Sequence, residues 1–325
     1  MKKNFYIKLI CISILFIMLV SYETTRSSTL YGLELWLYNV VPVLFPYIFI
    51  INIIMLFDAF TILSFILYPI LNPILKISKN ACLCMVAGFF CGFPVGIKTI
   101  NDMVKSNKIS ISEGNYLACF CNNLSPSFYL NFIINDNIHR NNKFISFNHK
   151  LILNIILILL PYISAIICSF IYRFSNKYVE SDINNLCKLS DEKNNTKTDT
   201  ISNFINTCIT GTFEALFKVG GYIILFSIIT GILLNYTLLP DIVKSIVTSI
   251  LEISNGATAF SNVKLKYIIT ILIPLCSFGG LSAMFQSLQM IDVKGISRKN
   301  YIKYKFINLS ITFVLATIVC LLFGI

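Results

Sequence analysis

Residues 91–96 read Cys91-Gly92-Phe93-Pro94-Val95-Gly96 and residues 277–282 read Ser277-Phe278-Gly279-Gly280-Leu281-Ser282, each inside an apolar stretch. A regular transmembrane helix satisfies its own backbone. A glycine- and proline-broken one frees N–H and C=O groups that are costly in hydrocarbon, so the break persists only where protein or a water-filled cavity covers it. Paired breaks in comparable places of two halves point to a solute site. These two stretches therefore predict an all-α polytopic membrane protein with broken or re-entrant helices around a doubled core.

Composition supports that class. The chain has 325 residues, 56% of them hydrophobic and only 13% charged, and its mean hydropathy is +0.77. A soluble domain carries nearer a quarter charged residues, so a soluble enzyme is excluded. Apolar runs recur from end to end, enough for about eight transmembrane segments. The formal charge of +11 sits in short links beside apolar spans, among them Lys2, Lys3 and Lys8, Arg140 and Lys143, and Lys294 to Lys305. That pattern is a topology signal facing anionic headgroups rather than a nucleic-acid footprint. Eleven cysteines, scattered through apolar runs, behave as small hydrophobes and imply no disulfide framework. Cys82/Cys84 and Cys119/Cys121 have C-x-C spacing with no histidine nearby, and no metal or cofactor is expected.

The expected organisation is an N-terminal transmembrane anchor at 1–28, a first membrane repeat at 29–173, a polar linker at 174–202 and a second membrane repeat at 203–325. The first span, 5–22, follows lysines and lacks a small-x-small cleavage site, which makes it a retained anchor with a cytoplasmic N-terminus. Residues 29–57 carry Pro42 and Pro46, which predict a kink. Residues 59–75, with Pro69 and Pro73, read equally as a hairpin or an interfacial helix. A polar link is expected at 101–115, separate segments at 203–219 and 220–239, and a last span at 306–325. Glu34 aligns with Glu214, and Gly92 with Gly279, as landmarks of the two related halves.

Four clusters carry candidate substrate-binding chemistry. In the first, Gly92, Pro94 and Gly96 permit an unwound stretch and Lys98 adds charge, though a lysine at a helix end also snorkels to the interface. In the second, Asn122, Asn123 and Ser125 offer amide donors and acceptors within an apolar run, which helix–helix hydrogen bonding would equally explain. The third groups Gly279, Gly280, Ser282 and Gln286, the last one turn beyond Ser282; small residues there also suit close packing. The fourth is Glu252 with Asn255. An acid within a membrane segment is a functional site by default, whereas in an ordinary loop it is a solvated charge. Neither H-E-x-x-H, a P-loop nor G-x-S-x-G occurs, so no enzyme is expected.

Val41-Pro-Val-Leu-Phe-Pro-Tyr47, Cys91-Gly-Phe-Pro-Val-Gly-Ile-Lys98, Asn122-Asn-Leu-Ser-Pro126, Leu251-Glu-Ile-Ser-Asn-Gly-Ala257 and Ser277-Phe-Gly-Gly-Leu-Ser282 with Gln286 follow one another in that order. Together they resemble the YlbJ-type sporulation integral membrane proteins, which carry nucleoside-recognition (Gate) domains, over roughly residues 30–310. Cys91 and Phe93 stand where serine and tyrosine are usual, and Met284 where a histidine often follows. The resemblance implies a protein of the mother-cell or forespore membrane of endospore-forming bacteria, and supports passage of a small solute. The expected function is transporter- or channel-like, with segments 88–98 and 275–286 meeting at the centre and Asn122, Asn123 and Glu252 completing the site. The competing expectation is a non-transporting scaffold for spore envelope or cortex assembly. The expected partners are the lipid bilayer, a small-molecule solute, and either a second copy or other sporulation membrane proteins, with no nucleic acid.

Overall fold

A computed structural model describes residues 2–57, 59–139, 147–176, 201–236 and 238–325. These residues are helical apart from turns and short breaks, with no strand among them. In chain order the elements are α1 (Lys2–Val20), α2 (Tyr22–Leu56), α3 (Phe60–Leu75), α4 (Ala81–Cys91), α5 (Val95–Lys105), α6 (Ile111–Ala118) and α7 (126–139). They continue as α8 (Phe147–Asn176), α9 (Ile201–Asn235), α10 (Asp241–Leu251), α11 (Ile253–Ala259), α12 (265–278), α13 (Gly280–Met290) and α14 (Arg298–Phe323).

Five stretches are long and apolar enough to cross a membrane: Tyr22–Leu56, Ile152–Asn176, Ser202–Asn235, Leu265–Met290 and Arg298–Phe323. Four of them carry uncovered apolar faces, with Leu321 77% exposed, while Leu265–Met290 is mostly enclosed by the others; α3 likewise presents Phe65 at 82%. Exposed apolar surface on that scale would be unfavourable against water and suits a hydrocarbon solvent.

Before two of the prolines the helix widens locally, whereas Pro46, Pro69, Pro73 and Pro161 lie inside ordinary α-helix. Pro42 has no N–H to donate, and the turn before it, Leu35–Val40, opens into a π-helix in which the Val41 N–H reaches the Trp36 carbonyl. The same device precedes Pro274, where Ile268–Leu272 is π-helical and the Ile273 N–H reaches Ile268 O. A π-turn lets the helix continue past a residue that cannot complete the ordinary ladder.

Several expected boundaries move. Residues 203–239 do not form two segments, because α9 runs unbroken through Gly220 and Gly221. Gly220 is there to admit the Trp36 ring, which would lie 2.6 Å from any added Cβ. Much of the link 101–115 is helical, since Ser110 caps α6 by accepting from the Glu113 N–H at 3.1 Å, in an S-x-x-E arrangement. The last helix starts at Arg298 rather than 306, so Lys299, Lys303 and Lys305 belong to it and not to a basic loop. Glu34 and Glu214 lie on outward faces within the long helices α2 and α9. Most of the expected linker, 177–200, lies outside the described residues.

Two long pairs run antiparallel. Along α2 and α9, Ser21 meets Tyr236 (2.6 Å), Trp36 Nε1 donates to Leu216 O (3.0 Å) and Asn52 Nδ2 donates to Thr212 Oγ1 (3.1 Å). Along α8 and α14, Ser164 bonds Asn308 and Thr312, and Asn176 Nδ2 donates to the Tyr304 hydroxyl at 3.3 Å. Such interhelical bonds contribute about 0.6 kcal/mol each in membranes. They fix register more than they supply stability.

Candidate functional site

Four interruptions of the helices come together. At the first, Gly92 has φ +87° and ψ −172°, a conformation L side chains rarely adopt, and Val95 N–H returns to Gly92 O at 2.9 Å to start α5. The second is the irregular run 119–125, after which the Ser125 hydroxyl accepts from Phe128 N–H (3.3 Å) and Pro126 opens α7. The third is Glu252, extended at φ −146° and ψ 119°, whose Oε2 caps α11 by accepting from Asn255 N–H at 2.6 Å. Gly279 (φ +90°) and Gly280 (φ +76°) make the fourth. Each cap or turn covers some of the backbone groups that an interrupted helix leaves open.

The breaks touch in pairs. Asn123 N–H donates to Gly88 O at 3.2 Å, and a Cβ on Gly92 would come within 3.1 Å of Ser125 N. A Cβ on Gly88 would sit 1.4 Å from Cys121 O, so backbone lies directly on backbone there. The fourth break lies against the third, with Gly280 facing Ser249 O and Ile253 N. The first and fourth meet through Phe93, whose ring lies 2.7 Å from a Cβ built on Gly279. Segments 88–98 and 275–286 are in contact at Phe93 and Gly279.

Around this junction lies a cavity of about 370 Å³. Gly92, Ser125, Glu252 and Gln286 line it, together with Phe93, Asn131 and stretches of α2 and α9. Its size falls within the ordinary ligand-site range of about 300–1,000 Å³. Glu252 is the acidic residue in its wall.

The other sequence-derived candidates lie behind the cavity or away from it. Asn122 Nδ2 donates to Ser287 Oγ (2.8 Å) and to the Tyr301 hydroxyl (3.0 Å), while its Oδ1 is buried without a partner. Asn123 Nδ2 donates to Phe120 O at 2.8 Å. Asn255 Nδ2 donates to Ser227 Oγ (2.9 Å), and its Oδ1 too is buried and unpartnered. Ser282 Oγ accepts from Gln286 Nε2 at 3.0 Å, which aims the glutamine. Pro94 starts α5, its carbonyl accepting from Lys98 N–H at 3.1 Å. Gly96 is a packing residue, since a Cβ there would lie 2.7 Å from Gly88 Cα. Lys98 points elsewhere, donating to Asn52 Oδ1 (3.2 Å) and pairing with Asp102 (2.9 Å).

Sequence reasoning missed Lys305. Its side chain is 2% exposed. The ammonium donates to the carbonyl of Asn122 in the second break and to that of Ser277, just before the fourth, at 3.4 Å. The Phe93 ring lies 4.3 Å from it. A signal existed: Tyr301, Lys305, Asn308 and Thr312 recur at helical spacing along an otherwise apolar span, and all four are buried. Assigning Lys305 to a loop hid that stripe.

Outside the spans a polar clasp joins α5 to the turn before α14. Asn101 Nδ2 donates to Asp292 Oδ1 (2.7 Å), Asn101 Oδ1 accepts from Val293 N–H (3.1 Å), and Lys105 pairs with Asp292 at 2.5 Å. The hydrogen bond from Lys105 holds the Asp292 carboxyl below its ordinary range, and the same bond raises the Lys105 ammonium.

No protein-family model matches the chain, and no solved structure matches it. Over 241 residues, 69% of its length, the chain is 21% identical to the sporulation integral membrane protein YlbJ of Bacillus subtilis (strain 168). The match covers 54% of that protein, so the chain spans about half the length of this relative. Apolar helices and this relative together make the chain an integral membrane protein, similar to the YlbJ-type sporulation proteins that its five motifs resemble.

Proposed function

We propose that the protein passes a small polar solute across a membrane of the sporulating cell through the cavity lined by Gly92, Glu252 and Gln286. The observation that carries this reading is a buried acidic residue lining a cavity where interrupted helices meet. Unwound backbone is tolerated at depth where it lines such a space, and an acid there is kept for a task rather than for stability. The solute is of nucleoside or similar polar class, in keeping with the family resemblance, with Glu252 and Gln286 as its hydrogen-bond partners.

In this reading the core is two inverted halves: α2, α4–α5, α6–α7 and α8 in one, and α9, α10–α11, α12–α13 and α14 in the other. The antiparallel pairs α2/α9 and α8/α14 support it. So does the mirrored packing of α5 on α13 and α7 on α11. The register differs from the one the sequence suggests. The Gly92 break corresponds to the Glu252 break, and Asn122–Ser125 to Ser277–Gly280, with α3 as the unmatched element. Inverted halves with broken helices at their interface are a recurrent transporter plan.

A non-transporting scaffold is the second reading, favoured by Gly88, Gly96 and Gly256, which bring backbones into direct contact. Binding and uptake in proteoliposomes, with a nucleoside and metal-ion panel, separate the two. Glu252→Gln retains a cap acceptor and should weaken binding of the transported solute about tenfold or more, as loss of a charged hydrogen-bond partner does. A panel that yields no binding or flux, or a Glu252→Gln protein that transports like wild type, contradicts the proposal.

A further inference from the structure

Lys305 occupies a place unlike that of the other lysines in the described helices. Its ammonium is enclosed by the carbonyls of Asn122 and Ser277 and the face of Phe93. Among the described residues no carboxylate pairs with it; the ion pairs there are Lys98–Asp102 and Lys105–Asp292. Backbone carbonyls released by broken helices, with an aromatic face beside them, form the kind of shell that takes a monovalent cation. The two carbonyls come from different broken segments, so whatever cation sits between them also joins those segments.

We propose that the Lys305 ammonium is a tethered substitute for a bound monovalent cation, and that the junction of the second and fourth breaks therefore assembles without Na⁺ or K⁺. A covalently held cation need not be recruited from solution, so its effective concentration is fixed by the helix that carries it. Removing the side chain to Cβ leaves two carbonyls and a ring around a vacant space. That space should then accept a small cation from solution.

The test is thermal unfolding of the full-length protein in detergent or nanodiscs, at one ionic strength, in NaCl, KCl, methylammonium chloride or N-methylglucamine chloride. Wild type should melt at the same temperature in all four. Lys305→Ala should melt about 5 °C or more lower in N-methylglucamine, and recover at least half of that loss in NaCl or methylammonium chloride. Lys305→Ala melting like wild type, or responding equally to all four salts, overturns the proposal. So does a wild-type protein that loses stability when Na⁺ and K⁺ are withdrawn, a measurement that stands even if the alanine variant fails to accumulate. Lys305→Met keeps the stem and removes only the charge, and wild-type stability in that variant would also refute the inference. The salts read stability and not solute flux, so this proposal and the transport reading can fail independently.

Discussion

Phe93 separates two buried polar regions that use the same kinds of residue to opposite ends. Behind its ring, Lys305, Asn122, Tyr301, Ser287, Asn308 and Ser164 bond to one another or to backbone. On its other side, Glu252 caps α11 and is also held by Ser254, Gln286 donates to Ser282, and both residues line the cavity. In a low-dielectric interior a largely bonded network rigidifies, Asn122 Oδ1 being the one unpartnered atom among those named, while a group lining a cavity stands where a ligand can reach it. Burial alone does not separate these roles. Glu252 and Lys305 are 3% and 2% exposed, and only their partners distinguish them.

The sharpest way to break the comparison is to disrupt the backbone contact that creates both regions. Gly88→Ala drives a methyl into the Cys121 carbonyl and should cost several kcal/mol, about 3 or more, as overpacking against immovable backbone does. Folded protein recovered after size-exclusion chromatography should fall to a trace. Gly221→Ala, where nothing lies within 4 Å, should leave the yield unchanged.

A smaller effect sharpens it. Asn308→Ala removes an acceptor from Ser164 and a donor to Asn123 and should cost about 1–3 kcal/mol, read as a lower melting temperature. Solute affinity per folded molecule should stay within about twofold of wild type. Equal losses of affinity and stability would mean that the two regions are one.

The smallest change belongs to the clasp outside both. Lys105 and Asp292 are about half exposed, so Asp292→Asn should cost at most a few tenths of a kcal/mol in what the ion pair contributes, and less in high salt. A carboxyl held low in the folded state stabilises above its unfolded pKa of about 4, and that stabilisation fades as pH falls through the folded value. A raised lysine stabilises below its unfolded value of about 10.4 and loses this above it. The wild-type advantage over Asp292→Asn should therefore be flat between roughly pH 5 and 9 and shrink on acidification. A pH-independent difference would assign the clasp to Asn101 alone.

The membrane class and both glycine breaks were legible because hydropathy and φ > 0 are local properties written in consecutive residues. The break at 119–125 was visible as a polar interruption, whereas Glu252 stood out as an acid in an apolar setting and not as a break; Ser125, Glu252 and Gln286 line one cavity. Which break lies against which was not legible: Gly92 and Gly279 look alike in sequence, yet Gly92 packs on Ser125 and Gly280 on Ile253. That pairing depends on chain direction, which a glycine does not record. Lys98 drew attention as a charge beside a break, but Asp102 one turn on already holds it. Lys305 escaped because its role comes from carbonyls 183 and 28 residues away.

Accessibility on either side of one peptide bond tests the account most directly. Gln286 lines the cavity, while its neighbour Ser287 is wholly buried against Asn122. In a protein whose native cysteines are replaced, Gln286→Cys and Ser287→Cys should be treated with a small membrane-impermeant thiosulfonate in sealed vesicles of both orientations. The account predicts modification at 286 at least tenfold faster than at 287, slowed by a bound solute. Equal rates at the two positions, or no reaction at 286 from either side, would contradict a water-accessible cavity at the meeting point of the breaks.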